Sequence, residues 1–446
     1  MISFVVIGIT DNPNPWFPPE VMEVIKQGRV FSGGKRHHEI VAPLLPAGAE
    51  WIDITVPLDS VFEQYETHPQ PLPVEGGKKT PPLNRGGQEG SIIVFASGDP
   101  LFFGFANTIK RKMPEADIVV YPTFNSLQML AHRQVMPYHD MRIVSLTGRP
   151  WPEFDKALIE RAEKIGILTD KEHTPAAIAQ RMLEYGYTYY TMHVGEHLGN
   201  PALEKVTTLT LKEAANREFS MPNCVILNAN FSQININDYS WPINGNSCLK
   251  NRVFGIPDQE FTLLDGREKM ITKMPIRLLT LRALDLPRRH VLWDIGFCTG
   301  SVSIEARLLF PHLHIEAFEI RPECEAIIHE NARRFGAPGI DVHMGDFCSV
   351  CCDDIVTNGT PDAVFIGGHG GHLKEIMAKV LTVLAPGGVI VFNSVTSSVV
   401  EQVTERKSSR ELWDEACREL GLQQEPPLRI QLNNYNTIEI LKSTIQ

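Results

Sequence analysis

The segment Val291-Leu-Trp-Asp-Ile-Gly-Phe-Cys-Thr-Gly-Ser301 constrains the chain more than any other stretch. A short apolar run carrying Asp294 meets two glycines, Gly296 and Gly300, and a helix-period stretch over 302–309 follows. A buried strand is therefore expected to turn at once into a helix. Glycines at such a turn let the backbone approach a ligand where a Cβ would clash. The amides that open the helix favour a carboxylate or a phosphate.

Further strand ends repeat the theme downstream. Glu319 stands nineteen residues after Gly300, at the end of the next apolar run. An acid there is placed to accept both hydroxyls of a ribose. A third run ends at Gly345-Asp346, and Asp346 is a candidate acceptor for an adenine amino group. A fourth ends at Gly367-Gly368, and Ala385-Pro-Gly-Gly388 introduces a fifth. Each feature alone reads equally well as an ordinary turn or a solvated strand end. The ordered series points to a nucleotide-like ligand.

The same alternation of strand and helix runs through the rest of the chain. Apolar runs at 3–9, 91–95, 118–121, 142–145, 164–168, 188–194 and 224–228 read as strands. Those at 291–295, 314–319, 342–344, 363–366 and 389–394 do so as well, and 428–441 holds two more with an antiparallel look. The fold class is therefore α/β, with parallel sheets covered on both faces. Single cores stop growing at roughly 250–300 residues, so a chain of 446 residues is expected to form at least two domains. Residues 232–257, rich in Asn, Ser and Gly, are the expected linker between a domain at 1–231 and one at 258–446. Residues 66–90 hold five Pro and five Gly and are expected to be an exposed loop.

Composition narrows the partners. A net charge of −11 argues against a nucleic-acid partner but allows a local basic pocket. No apolar run approaches the roughly 20 residues of a membrane span. The apolar start, 1–8, lacks a basic flank and a cleavage site, so it reads as a strand. Eight cysteines in this length do not make a disulfide scaffold, and a cytoplasmic location is expected. Cys348, Cys351 and Cys352 have no matching second pair and read as thiols, so no metal is expected. His369 and His372, in a glycine-rich stretch, read as a turn over the active site.

From Val291 to Gly388 the series resembles the class I methyltransferases, which depend on S-adenosylmethionine. The resemblance implies that Asp294, Gly296, Phe297, Cys298, Thr299, Gly300, Glu319, Gly345 and Asp346 surround that cofactor. The family usually has glycine where this chain has Cys298. Upstream stand Gly255-Ile-Pro-Asp-Gln-Glu-Phe261 and Glu268-Lys-Met-Ile-Thr-Lys-Met-Pro-Ile-Arg277. They are similar to the lead-in segment of the precorrin methyltransferases that methylate carbon 15 and decarboxylate. This implies a segment folded over the cofactor, with Thr272 in contact.

The first 230 residues carry other motifs. Gly34-Lys-Arg-His-His-Glu39, Ala96-Ser-Gly-Asp-Pro-Leu101, Pro122-Thr-Phe-Asn-Ser-Leu-Gln128, Val144-Ser-Leu-Thr-Gly-Arg149, 168–177 and Val194-Gly-Glu-His-Leu-Gly-Asn-Pro201 occur in that order. Together they resemble the tetrapyrrole methylases, in the branch that methylates carbon 5. That family has two α/β lobes with the cofactor in the cleft between them. The resemblance places Gly98, Asp99, Pro100 and Leu101 on the cofactor, with Thr123 and Ser126 opposite. The family's glycine-rich first loop is reduced here to Gly8-Ile-Thr-Asp-Asn-Pro-Asn-Pro15.

The order of the two resemblances is that of the fused C5,15-methyltransferases of cobalamin biosynthesis. It implies two methyl transfers from two S-adenosylmethionine molecules and loss of carbon dioxide from a ring acetate, giving precorrin-8. Such a substrate carries many carboxylates, so cations are expected around it. Lys35, Arg36, His37 and His38 are the candidates in the first domain, and Arg267, Lys269, Lys273, Arg277 and Arg282 in the second. A homo-oligomer without a nucleic-acid or membrane partner is expected. Three alternatives stay open: a cobalt-bearing substrate, an RNA substrate, and a scaffold in which one domain has lost catalysis.

Overall fold

A computed structural model describes residues 2–67, 90–230, 255–395, 407–432 and 437–445. The expected loop at 66–90 and linker at 232–257 lie largely outside these residues. The chain divides into two compact units that interleave along the sequence. Met1–Arg149, Glu163–Gln180 and Tyr190–Ala229 form the first; Pro150–Ala162, Arg181–Tyr189 and Asn230–Gln446 form the second.

The first unit holds two sheets. Strands β1 (Ser3–Ile9), β2 (Val30–Gly33), β3 (Glu50–Asp53), β4 (Ile92–Ser97) and β5 (Asp117–Tyr121) form a parallel sheet in the order β3-β2-β4-β1-β5. Its central strands β1 and β4 are apolar almost throughout because both faces are covered, whereas the edge strand β3 is capped by the exposed Glu50 and Asp53. Phe4 and Val6 join one core with Ile92 and Val94, while Val5 and Ile7 join another with Ile93 and Phe95. The second sheet comprises β6 (Arg142–Ser145), β7 (Lys164–Leu168), β8 (Tyr190–Glu196), β9 (Lys205–Thr210) and β10 (Asn223–Ala229), ordered β6-β7-β10-β8-β9.

The expectation of parallel sheets fails for this second sheet. Only β6 and β7 run parallel, and every other pair is antiparallel. Strand composition is silent on direction, whereas connection length is not. Eight residues join β8 to β9, and a parallel crossover needs about a dozen or more.

The second unit holds one sheet built from β11 (Val291–Ile295), β12 (His314–Glu319), β13 (Ile340–Met344), β14 (Ala363–Ile366), β15 (Val389–Val395), β16 (Gln423–Gln424), β17 (Leu428–Ile430) and β18 (Ile438–Thr444). The order is β13-β12-β11-β14-β15-β18-β16, with β17 also paired to β18. The first five strands are parallel, and β18 runs antiparallel to β15. Trp293, Ile295, Val364 and Ile366 pack on one face; Leu292, Ala363, Phe365 and Val391 pack on the other. Both folds implied by the resemblances are thus present: a two-lobed α/β unit and the class I arrangement. Among the described residues no helix is long and apolar enough to cross a membrane.

Candidate active sites

In the third sheet the chain leaves β11 toward β12 and β13, then returns to place β14 on the other side. Such a reversal opens a crevice at the carboxyl ends of the strands. A cavity of about 860 Å³ lies there. Its wall includes the turn from Asp294 to Cys298, Glu319, Gly345, Asp346, the Gly367–Gly370 turn and the lead-in residues Lys269 to Lys273. Thr272 is among them.

The turn after β11 is shaped by its glycines. Gly296 has φ +79, and a Cβ there would stand 2.6 Å from the Gly368 amide nitrogen. Two strand-end turns therefore touch backbone to backbone, which a side chain would prevent. Cys298 also lies in the left-handed region, at φ 50. That conformation explains the glycine preference of the family at this position. The thiol is nonetheless accommodated, buried among Leu264, Phe297, Ala317, Cys324 and Ile328. Thr299 is buried, and Gly300 immediately precedes the helix Ser301–Leu309.

Two carboxylates define the polar character of the cavity. Glu319 Oε2 accepts from the Cys298 amide at 3.0 Å and from Arg321 Nη2 at 2.7 Å. Oε1 accepts from the Ile320 and Arg321 amides and from Arg321 Nε, at 3.0, 3.1 and 2.9 Å. Burial alone would raise this carboxyl, but the Arg321 guanidinium and the backbone amides outweigh it and hold it below its ordinary range. Asp294 is the opposite case. It is fully buried, and desolvation pushes it up to about 7 against the hydrogen bonds from Ser303. Its Oδ2 accepts from the Ser303 hydroxyl at 2.5 Å, while Oδ1 has no partner among the described residues. Asp346 caps the short turn Phe347–Ser349 by accepting from the Cys348 amide at 3.0 Å, and it also lines the cavity.

The expected substrate cations divide. Lys269 and Lys273 line the cavity. Arg267 and Arg282 are exposed and pair with Asp265 and Asp285. Arg277 must be removed from the substrate list, because its side chain is 0% exposed. It is clamped by Asp258 at 3.2 Å and Glu305 at 3.1 Å, and it donates to the Thr272 and Ile256 carbonyls. A buried guanidinium needs such partners, and here they fasten the lead-in segment to the domain. Glu305 completes the clamp by accepting from the Gly255 and Ile256 amides. Sequence reasoning missed Arg321; the signal was its place two residues beyond the acid that ends β12. His369 and His372 do line the cavity. Burial and His372 lower His369, whose Nδ1 accepts from the Gly371 amide at 3.1 Å, so its Nε2 carries the proton.

In the first unit, three turns meet at the carboxyl ends of β1, β4 and β5. A Cβ on Gly8 would lie 2.2 Å from the Gly98 carbonyl oxygen and 2.9 Å from the Thr123 nitrogen. The one glycine kept at this end of the chain, which lies within β1, is therefore the one the close approach requires. Asp99 accepts from the Leu101 amide at 2.9 Å and fixes the Gly98–Leu101 turn, which includes the buried Pro100. Asn125 and Gln128 cap one another's backbone and start the helix Ser126–Arg133.

The cations Lys35, Arg36 and His37 lie on a helix, Lys35–Val41. Arg36 Nη1 meets Asp11 at 2.6 Å and its Nη2 meets Ser97 Oγ at 2.8 Å. The other Asp11 oxygen is 2.9 Å from His197 Nδ1. His37 Nε2 shares Ser97 Oγ at 2.9 Å, and burial together with Arg36 lowers its pKa to about 4. At neutral pH His37 is therefore uncharged and Arg36 is already matched by a carboxylate, which corrects the reading of both as free substrate cations. His38 stacks on Trp51 at 4.2 Å, and Lys35 is exposed.

Fold and site together describe a methyltransferase built from two unlike cofactor-type cradles. A family model described as tetrapyrrole (corrin/porphyrin) methylases matches residues 3–215, and one described as a precorrin methyltransferase domain matches 265–412. The chain is 29% identical over 396 residues to a precorrin-6Y C(5,15)-methyltransferase [decarboxylating] of Sinorhizobium sp, covering 88% of this chain and 85% of that one. It is 39% identical over 132 residues to a cobalt-precorrin-6B C(15)-methyltransferase (decarboxylating) of Salmonella typhimurium, covering 30% and 66%. It is 33% identical over 144 residues to a probable enzyme of the latter kind from Pyrobaculum aerophilum, covering 32% and 70%. The chain belongs to the precorrin methyltransferases.

Proposed function

We propose that this chain methylates a precorrin at carbons 5 and 15 and decarboxylates a ring acetate, as a step of cobalamin biosynthesis. Residues 1–231 carry the carbon-5 reaction. Residues 258–446 carry the carbon-15 reaction and the decarboxylation. The observation that carries the reading is the pair of unlike cradles in one chain: Gly8 against Gly98 and Thr123, and Gly296 against Gly368 beside Glu319.

The residues fit S-adenosylmethionine at the second cradle. Gly296 leaves room that a Cβ would fill, and Asp294 Oδ1 and Thr299 Oγ1 are buried polar atoms without a partner among the described residues. Glu319 and Asp346 face the same cavity as acceptors. Gly98, Asp99, Pro100 and Leu101, with Thr123 and Ser126, hold it in the first unit. The bound cofactor supplies an already activated methyl group.

The protein's own work is then to align and to shield. Holding two reactants in line accounts for roughly 7–11 kcal/mol of barrier, and no strong general base is needed for attack by an electron-rich ring carbon. Lys269 and Lys273 border the cavity where carboxylates of the substrate approach. For decarboxylation, the electrons of the broken carbon–carbon bond pass into the conjugated macrocycle as carbon dioxide leaves, and the methylene carbon left on the ring then takes up a proton from solvent to become a methyl group. The lead-in segment over Lys269–Lys273 limits water at the departing carboxylate.

The test is full-chain turnover with a metal-free precorrin and methyl-labelled S-adenosylmethionine. Two labelled methyl groups and one carbon dioxide per substrate are expected. Transfer of one methyl, or none, refutes the bifunctional reading. A parallel arm with the cobalt-bearing substrate decides which form is turned over.

A further inference from the structure

The first unit contains a second concavity, of about 300 Å³, lined by Leu101, Phe102, Phe103, Gly104, Asn107, Thr108, Arg111 and Arg149. It begins where the Gly98–Leu101 turn ends. Two guanidinium groups share it although they are 38 positions apart in sequence. Neither has a carboxylate or carbonyl partner among the described residues. Some other exposed arginines are paired: Arg133 with Glu204, Arg267 with Asp265 and Arg334 with Glu330. Two cations at one hollow favour an anion that can meet both.

The loop that borders them is held in place. Phe103 adopts φ 54, a left-handed conformation costly for an aromatic residue. The Arg149 guanidinium lies 5.1 Å from the centroid of its ring. Asn107 Nδ2 donates to the Leu101 carbonyl at 2.7 Å, tying the loop to the helix Phe105–Lys112 that bears Arg111. On the other side Asp170 accepts from the Gly148 amide at 2.8 Å, which fixes the turn just before Arg149. Leu101 and Phe103 are meanwhile 54% and 47% exposed at the same rim. Apolar ledges beside two guanidinium groups that have no carboxylate partner among the described residues suit a flat apolar ring system that carries carboxylates on short arms.

We propose that Arg111 and Arg149 form the carboxylate subsite of the first unit, gripping one acidic side arm of the tetrapyrrole while Leu101 and Phe103 contact its ring. This rests on the carbon-5 reading above. It transfers the recognition role from Arg36 and His37, which Asp11 and Ser97 occupy, to two residues beyond the cofactor turn. Arginine suits the role because its planar fork meets a carboxylate through two parallel hydrogen bonds.

The test uses the full chain with Arg111→Ala, Arg149→Ala, Arg149→Lys and the double alanine variant. KM for carbon-5 methylation should rise about tenfold or more in each alanine variant, with kcat nearly unchanged. Arg149→Lys should lie between, since it keeps the charge and loses the fork. Affinity for S-adenosylhomocysteine and the carbon-15 reaction should not move. An unchanged KM in the double variant overturns the subsite. A loss of S-adenosylhomocysteine affinity in place of the KM effect also overturns it, because the carboxylate gripped is then the cofactor's. Equilibrium dialysis with the metal-free precorrin reads binding apart from turnover. Weaker precorrin binding by the variants of a chain inactive at carbon 5 would sink the proposed function and leave the subsite standing.

Discussion

Arg321 grips both carboxylate oxygens of Glu319, at 2.9 Å through Nε and 2.7 Å through Nη2. With three backbone amides added, five donors surround a group with about four lone-pair sites. The ribose hydroxyls proposed to bind Glu319 must therefore displace Arg321, whose side chain is 34% exposed.

Arg321→Ala should tighten S-adenosylhomocysteine binding at this site several-fold, because a competing partner is removed. Glu319→Gln should weaken it tenfold or more, since hydrogen bonds to a charged group are worth about 1.5–3 kcal/mol. The same change places an amide donor opposite the Cys298 amide and loosens the loop. Calorimetric titration distinguishes the two variants by sign. Weaker binding by Arg321→Ala would show that the guanidinium helps to hold the cofactor.

Arg277→Ala should destabilise the second unit by about 3–5 kcal/mol, the usual result of breaking a buried ion pair. Glu305 would be left as a buried acid held only by two backbone amides, and Asp258 would keep only Lys273 at 3.9 Å and the Met274 amide. Thermal unfolding followed through the buried Trp293 reads this directly. A stable variant with a raised substrate KM would restore Arg277 to the substrate site.

Asp294 makes stability depend on pH with a definite sign. Its folded pKa is raised from an ordinary 3.8 to about 7, so the folded state holds the proton more tightly. The neutral form is favoured below about pH 4 in both states. As pH climbs from about 4 to about 7 only the unfolded carboxyl ionises, and stability is lost by at most about 4 kcal/mol. Asp294→Asn should flatten that slope. Denaturant melts of both proteins at pH 5 and pH 8 give the difference, and equal slopes would disprove the shift.

Cys298→Gly should leave stability within about 1 kcal/mol of the parent. Relief of a left-handed residue, about 1–2 kcal/mol, is offset by the lost thiol packing and by glycine's greater chain entropy. Cys298→Val should lower Tm clearly, because a β-branched residue fits φ 50 poorly. A glycine variant far less stable than the parent would mean that the thiol's packing dominates.

Much of the second site was legible because its signals are local. Strand, glycine turn and helix follow one another within Val291–Leu309, and Glu319 ends the next strand. Backbone chemistry acts over a few residues, so a glycine turn announces itself in sequence. Charge partners were not legible. Arg277 meets carboxylates 19 and 28 positions away, Arg36 meets one 25 away, and both had looked like free cations.

The sequence by itself determined the alternation of strands and helices, the two unlike sets of ligand-facing turns and the order in which they occur. These follow from short-range rules of dihedral preference and apolar periodicity. Only the tertiary structure decided which cations are neutralised, which strands of the second sheet run antiparallel, and that Arg111 and Arg149 share one hollow. Electrostatic pairing and desolvation depend on distance in space, and residues far apart in the chain become neighbours only once the chain has folded.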